Sequence, residues 1–276
     1  MNDKKYPHEP VPEPKSLKKR KKEEEYFKRL EAEKIKALKE KLKKEEAKYD
    51  REEETRSLQW KLLVEAIFVF IIALILTKLI IHSASPAIAK YSDLILAGLW
   101  LYLPAVFMFR KKENLKDFAL SQLNLFSSLR WFFLLTLLIL PFFYFLLWIG
   151  AKWILKYKFQ LTLPAHFFNL CIFQLLLVAF PEEWFFRAYL QGRLNQFFGR
   201  NKKFFSAQVG WGLVFASLFF AFAHFSSRVE PVRLLVFFPA LIFGWLREKT
   251  NSLLASVLFH FICNLSFIIF QISLIK

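Results

Sequence analysis

From residue 62 onward, long apolar runs alternate with short polar breaks, whereas residues 16–57 alternate Lys and Glu clusters with isolated apolar side chains. The first run, LLVEAIFVFIIALILTKLIIH over 62–82, is long enough as a helix to cross the hydrocarbon of a bilayer. Its Glu65 and Lys78 stand near opposite ends, where both side chains can reach toward the interfaces. Further spans are predicted at about 93–109, 131–150, 166–190, 205–225, 232–246 and 252–273. The pattern predicts an all-α, polytopic transmembrane helical bundle of about seven spans (six to eight). Residues 83–92 read as a short loop, 110–128 as a polar linker and 151–164, with three lysines among apolar side chains, as an interfacial stretch. Pro141 predicts a kink in the third span and Pro181 a bend in the fourth, because proline removes a backbone donor and crowds the preceding turn.

Ahead of the spans, residues 1–14 contain four prolines and read as a disordered start, and 16–57 read as a solvated helix with many i,i+4 charge pairs. Three regions follow: a charged extension over 1–60, accessory transmembrane helices over 61–164 and a chemical core over 165–276. No secretory signal peptide is read, since the first apolar run starts after some 60 residues and is long enough to span.

The chain is 55% hydrophobic and holds 35 Phe in 276 residues, which places it in the membrane class. Its net charge of +17 divides into 19 basic and 15 acidic residues over 1–60, then 21 and 8 over 61–276. Excess cations flanking apolar runs suit membrane lipids, not a nucleic acid. The tail is left to a cytoplasmic partner or an anionic lipid surface. Basic clusters put the N-terminus in the cytoplasm, within a bacterial inner membrane, although Lys152, Lys156, Lys158, Arg228 and Arg233 fall on the opposite side. Cys171 and Cys263 both lie in apolar runs and read as buried small hydrophobes, with no disulfide framework.

The chemistry-bearing stretch is Pro181-Glu182-Glu183-Trp184-Phe185-Phe186-Arg187, two carboxylates inside an apolar run. Ionisable side chains at such depth are costly and mark function by default. Adjacent helical residues point about 100° apart, so the two glutamates cannot do one job. Glu183 is four residues from Arg187 and is read as its partner, which leaves Glu182 to take a proton from water. His224 ends the run FFAFAH, and His260 and Asn264 share one helix face in HFICN. Together these groups form a polar intramembrane cavity in which low dielectric raises a carboxylate toward the range of a general base. At 1.5 Å per residue Glu183 and His260 sit at matching depth, about 12 Å in. His224 does not match unless 203–211 form an interfacial or re-entrant element, broken at Gly210 or Gly212, with the true span beginning near 213.

These motifs together resemble the CPBP family of intramembrane proteases, which includes the type II CAAX prenyl endopeptidases and bacterial proteins once called Abi. The resemblance covers roughly 165–270 and rests on three motifs: Glu182-Glu183 with Arg187, Phe220 with His224, and His260 with Asn264. It implies a glutamate-type endopeptidase in which Glu182 and His224 activate water while His260 and Asn264 stabilise the oxyanion. The implied substrate is a membrane protein or lipidated peptide. No cofactor is expected. The alternative, a divalent metal such as zinc, would need Glu and two His brought together from three helices, since no HExxH pair is present.

Two other functions use the same residues. An ion-coupled transporter would carry buried Glu, His and Arg along a proton path, with internal repeats that this sequence does not display. A noncatalytic scaffold or immunity protein would use Glu182, Glu183 and Arg187 as an ion-pair lock, and His260 with Asn264 as polar glue between helices. Only the protease requires Glu182 and His224 for cleavage of a peptide bond.

Overall fold

A computed structural model describes residues 15–110, 118–119 and 124–275. The proline-rich start and most of the polar linker after Arg110 lie outside the described residues. The chain divides into two compact units, Met1–Leu58 and Gln59–Lys276. In the first, residues 15–58 are helical and belong to α1 (Lys15–Ile81). Glu24–Lys28, Glu25–Arg29 and Glu40–Lys44 pair at 3.0, 3.0 and 3.1 Å across one helical turn. Such exposed pairs are worth about 0.3–0.5 kcal/mol each, so they favour the helix without packing it against anything.

The second unit is a polytopic helical membrane bundle. After α1 come α2 (Pro86–Lys90), α3 (Ser92–Arg110), α4 (Leu125–Ile154) and α5 (Phe167–Phe198). Next are α6 (Trp211–Ser227), α7 (Phe237–Thr250) and α8 (Leu254–Ile272). Among the described residues α1, α3, α4, α5 and α8 are long and apolar enough to cross a membrane. The fifth and sixth predicted spans are the shorter α6 and α7, of 17 and 14 residues. The 83–92 loop holds the short helix α2. Cys171 and Cys263 are free and half-buried, less enclosed than expected.

Helix α5 forms the centre. Phe185, Phe186, Ala188, Tyr189, Leu190 and Leu194 are all buried to within 1% of full enclosure, the pattern of a helix covered on every side. Leu62, Leu63, Ala66, Val69, Phe70 and Ala73 give α1 a buried stripe at helical spacing, and Phe70 meets Phe186 at 6.2 Å. From α3, Trp100 packs edge-on to Phe185 at 4.6 Å. Close approach of α5 and α6 needs Gly212, where a Cβ would collide with the Asn195 side chain and lie 2.8 Å from the Asn195 backbone nitrogen.

Two expectations change. Glu65 does not reach for the interface: it borders the buried stripe of α1 and turns inward. There it accepts hydrogen bonds from Arg193 at 3.0 Å and from the Tyr189 hydroxyl at 3.3 Å. Lys78 stays exposed. The fifth span does not begin at 205: the element over 203–211 is an antiparallel hairpin, β2 (Lys202–Phe204) with β3 (Ala207–Val209), and α6 starts behind it at Trp211, near the late start that the depth of His224 required. A second strand pair joins β1 (Lys158–Phe159) to β4 (Leu274–Ile275).

Arg193 is fully buried against a largely buried carboxylate. Arg193→Met should cost about 3–5 kcal/mol by stranding Glu65, and Glu65→Gln combined with it should recover more than half. Unfolding midpoints of the three variants in detergent check this.

Candidate active site

The glutamate pair lies at an irregular point of α5. Residues Gln174–Ala179 and Trp184–Leu190 form wide π turns, with the short α turn Phe180–Glu183 between them. Pro181 lacks an N–H and crowds the carbonyl four residues back, and a widened turn before it relieves both conflicts without breaking the helix. π-turns of this kind are rare and concentrate at functional sites. They aim Glu182 and Glu183 at different neighbours.

Glu183 points into the interior, where its side chain and that of Arg187 are both fully buried. Its Oε2 accepts from Arg187 Nε at 3.1 Å and its Oε1 from His260 Nδ1 on α8 at 3.0 Å. Because that carboxylate oxygen accepts, His260 Nδ1 carries a hydrogen and Nε2 is turned away from it. His260 Nε2 lies 3.7 Å from Glu182 Oε2. His224, on α6, places its own Nε2 4.0 Å from the same oxygen while Nδ1 sits 3.0 Å from the Phe220 carbonyl. A carbonyl only accepts, so here too Nδ1 is the donor and Nε2 faces Glu182.

Glu182 Oε2 thus has two imidazole nitrogens around it and no direct hydrogen-bond partner. Polar separations near 4 Å are too long for a direct hydrogen bond and are the kind a shared water can bridge. Glu182 and His224 remain 21% and 28% exposed, while His260 is 4% and Glu183 0% exposed. Approach to the cluster is therefore from the Glu182 and His224 side, with Glu183, Arg187 and His260 forming its sealed back.

How α6 delivers His224 follows from the hairpin. From Glu182 to the end of α5 is 16 residues, and from Trp211 to His224 is 13, about 24 and 20 Å of helix. The hairpin consumes the intervening chain outside the helices, so the two side chains return to similar height.

Asn264 does not reach the pair directly: its Nδ2 donates to Gln174 Oε1 at 3.3 Å. Gln174, two turns before Glu182 on α5, was not singled out in the sequence, although its spacing of eight residues from Glu182 was a usable signal. Phe243 was also missed, being one phenylalanine among many. It stacks on His260 at 4.7 Å between centroids, with 14° between the planes. Phe220 packs against His224 at 4.4 Å and His260 at 5.7 Å. The Arg187 guanidinium lies 5.0 Å from the Phe220 ring and 5.6 Å from Phe243, so the buried cation has aromatic faces as well as Glu183 to oppose it. Among the described residues, no group of three His, Cys, Asp or Glu side chains is arranged as a metal-ligand set.

With this geometry in view, residues 164–266 match the family model described as type II CAAX prenyl endopeptidase Rce1-like. No curated protein matches the chain, and no solved structure does. The matched segment contains Gln174 and all six residues singled out in the sequence, from Glu182 to Asn264.

The two glutamates should separate in stability. Arg187→Met should cost about 3–5 kcal/mol, because Glu183 would keep its burial and lose its cation. Glu182→Gln, at an oxygen without a direct partner, should be neutral or stabilising by up to about 1 kcal/mol. Thermal unfolding in one detergent compares them.

Proposed function

Because residues 164–266 match the type II CAAX prenyl endopeptidase Rce1-like family model, we propose that this protein is a glutamate-dependent intramembrane endopeptidase acting on a membrane-associated protein or lipidated peptide. The observation that carries the reading is the unpartnered Glu182 Oε2, faced by the Nε2 atoms of His224 and His260 from two other helices.

In this reading one water bridges Glu182 and His224. Glu182 takes a proton from it, and the resulting hydroxide oxygen bonds to the scissile carbonyl carbon. Negative charge moves to the carbonyl oxygen, where His260 Nε2–H and the second hydrogen of Asn264 Nδ2 donate. Each preorganised donor of this kind is commonly worth about 3–4 kcal/mol. The carbon–nitrogen bond then breaks as the proton held by Glu182 passes to the leaving amine. When His260 donates from both nitrogens its ring carries a positive charge, which the Glu183 carboxylate, itself paired with Arg187, opposes. Gln174 holds the Asn264 amide on its other hydrogen. The reading gives the water to protein groups and invokes no cofactor. Basic flanks favour a cytoplasmic N-terminus in a bacterial inner membrane.

Comparison of protein termini in membranes carrying wild type or Glu182→Gln tests the reaction and finds its substrate. Processed termini should disappear with Glu182→Gln and His224→Ala while both variants insert normally, and Asn264→Ala should slow processing by about 10²–10³-fold. Unchanged processing by Glu182→Gln would sink the assignment of the base.

A further inference from the structure

The hairpin between α5 and α6 carries a feature its own geometry does not call for. Register pairs Phe204 with Ala207, so Phe205 and Ser206 are the two turn residues, with φ of 45° and 63°. Two positive φ values in a two-residue turn make the type that favours Asn-Gly. A phenylalanine there is held in a region that bulky residues rarely occupy, and such outliers are a reason to look for function. Phe205 is 74% exposed, and Phe204 and Trp211 are also largely uncovered. The tip is also braced: Trp245 Nε1 donates to the Phe204 carbonyl at 3.1 Å, and Lys249 Nζ to that of Phe205 at 2.8 Å. At its base the chain passes so close to Gly199 that a Cβ on Gly210 would collide with the Gly199 carbonyl oxygen.

Behind the hairpin lies a half-open cavity of about 280 Å3 whose walls include Phe204, Val209, Trp211, Val214, Leu241 and Trp245. Among the described residues no acidic side chain lines it. Among the described residues its one charged group is Lys202, whose ammonium stands 5.3 Å from the Trp211 ring; Lys203, next on the strand and exposed, belongs to the opposite face. The hairpin joins the C-terminal end of α5 to the N-terminal end of α6, where these apolar helices terminate. Aromatic side chains mixed with lysine at the ends of membrane helices belong to the headgroup layer.

We infer that this hairpin and cavity form a binding site for an anionic phospholipid of the surrounding bilayer. The headgroup phosphate lies on Lys202, an acyl chain enters the groove, and Phe205 is immersed beside it. An apolar groove alone would accept any chain; Lys202 at its mouth, with no acidic side chain among the described lining, selects a negative headgroup. A lysine near an anionic membrane surface strengthens association about fivefold. The site is separate from the Glu182 cluster and does not depend on the chemistry proposed there.

Purified full-length protein in micelles, titrated with phosphatidylglycerol or phosphatidylcholine carrying brominated acyl chains, tests the assignment through quenching of tryptophan fluorescence. The Trp211 contribution is the difference between wild type and Trp211→Phe. The anionic lipid should quench Trp211 at lower mole fraction than the zwitterionic one. Lys202→Gln, a surface change, should reduce that preference about fivefold, Lys203→Gln, on the other face of the strand, should reduce it less, and Val214→Phe should weaken quenching by both lipids by filling the groove. Equal quenching by the two lipids in wild type would overturn the proposal, as would an undiminished preference in Lys202→Gln. Displacement of both lipids by an uncharged isoprenyl alcohol at equal potency would assign the groove to a neutral chain and overturn it as well.

Discussion

The central constraint of this membrane bundle is a carboxylate with no access to solvent. Glu183 is fully enclosed, and it stays so only because Arg187 and His260 each give one of its oxygens a donor. An unpaired charge in that position would cost several kcal/mol. The pairing therefore locks α5 to α8 and sets the His260 ring at the same time, since the nitrogen bound to Glu183 decides where the other one points. Phe220 and Phe243 close over Arg187 and His260 and keep the network dry. Low dielectric strengthens each of these contacts and raises the penalty for losing any one of them.

Against this fixed back stands Glu182, whose Oε2 is left with two imidazoles near 4 Å and no direct hydrogen bond. Adjacent glutamates thus serve opposite physical purposes, one satisfied and structural, the other unsatisfied and reachable. Folds commonly keep such unfavourable groups where function requires them. Arrival of His224 depends on α6 starting late, at Trp211, which is possible because the preceding residues leave the helical layer as a hairpin. That hairpin sets the height of a catalytic candidate and also builds the lysine-rimmed groove at the end of the helices.

Much of this was legible along the chain. Apolar runs of spanning length locate the helices because backbone groups in lipid must be satisfied within each segment, and α3, α4 and α8 lie where those runs place them. Burial cost alone identified Glu182 and Glu183, and a spacing of four put Arg187 beside Glu183. The hairpin was harder to read, because KKFFSAQV has no Asn-Gly turn and its paired strands are only three residues long. Gln174 and Phe243 were hidden by their ordinariness, one amide and one ring among many.

Residue type and helical period by themselves determined the membrane class, the helix positions and the candidate chemistry, since each rests on local geometry and on the solvent each side chain tolerates. Tertiary packing alone decided the partners across helices: Glu65 turned inward to Arg193, His260 bound to Glu183, and Asn264 held by Gln174. Such contacts depend on the rotation and depth of separate helices. Those quantities come from how whole faces pack, with π turns and a hairpin shifting the register, and a single helix's sequence does not contain them.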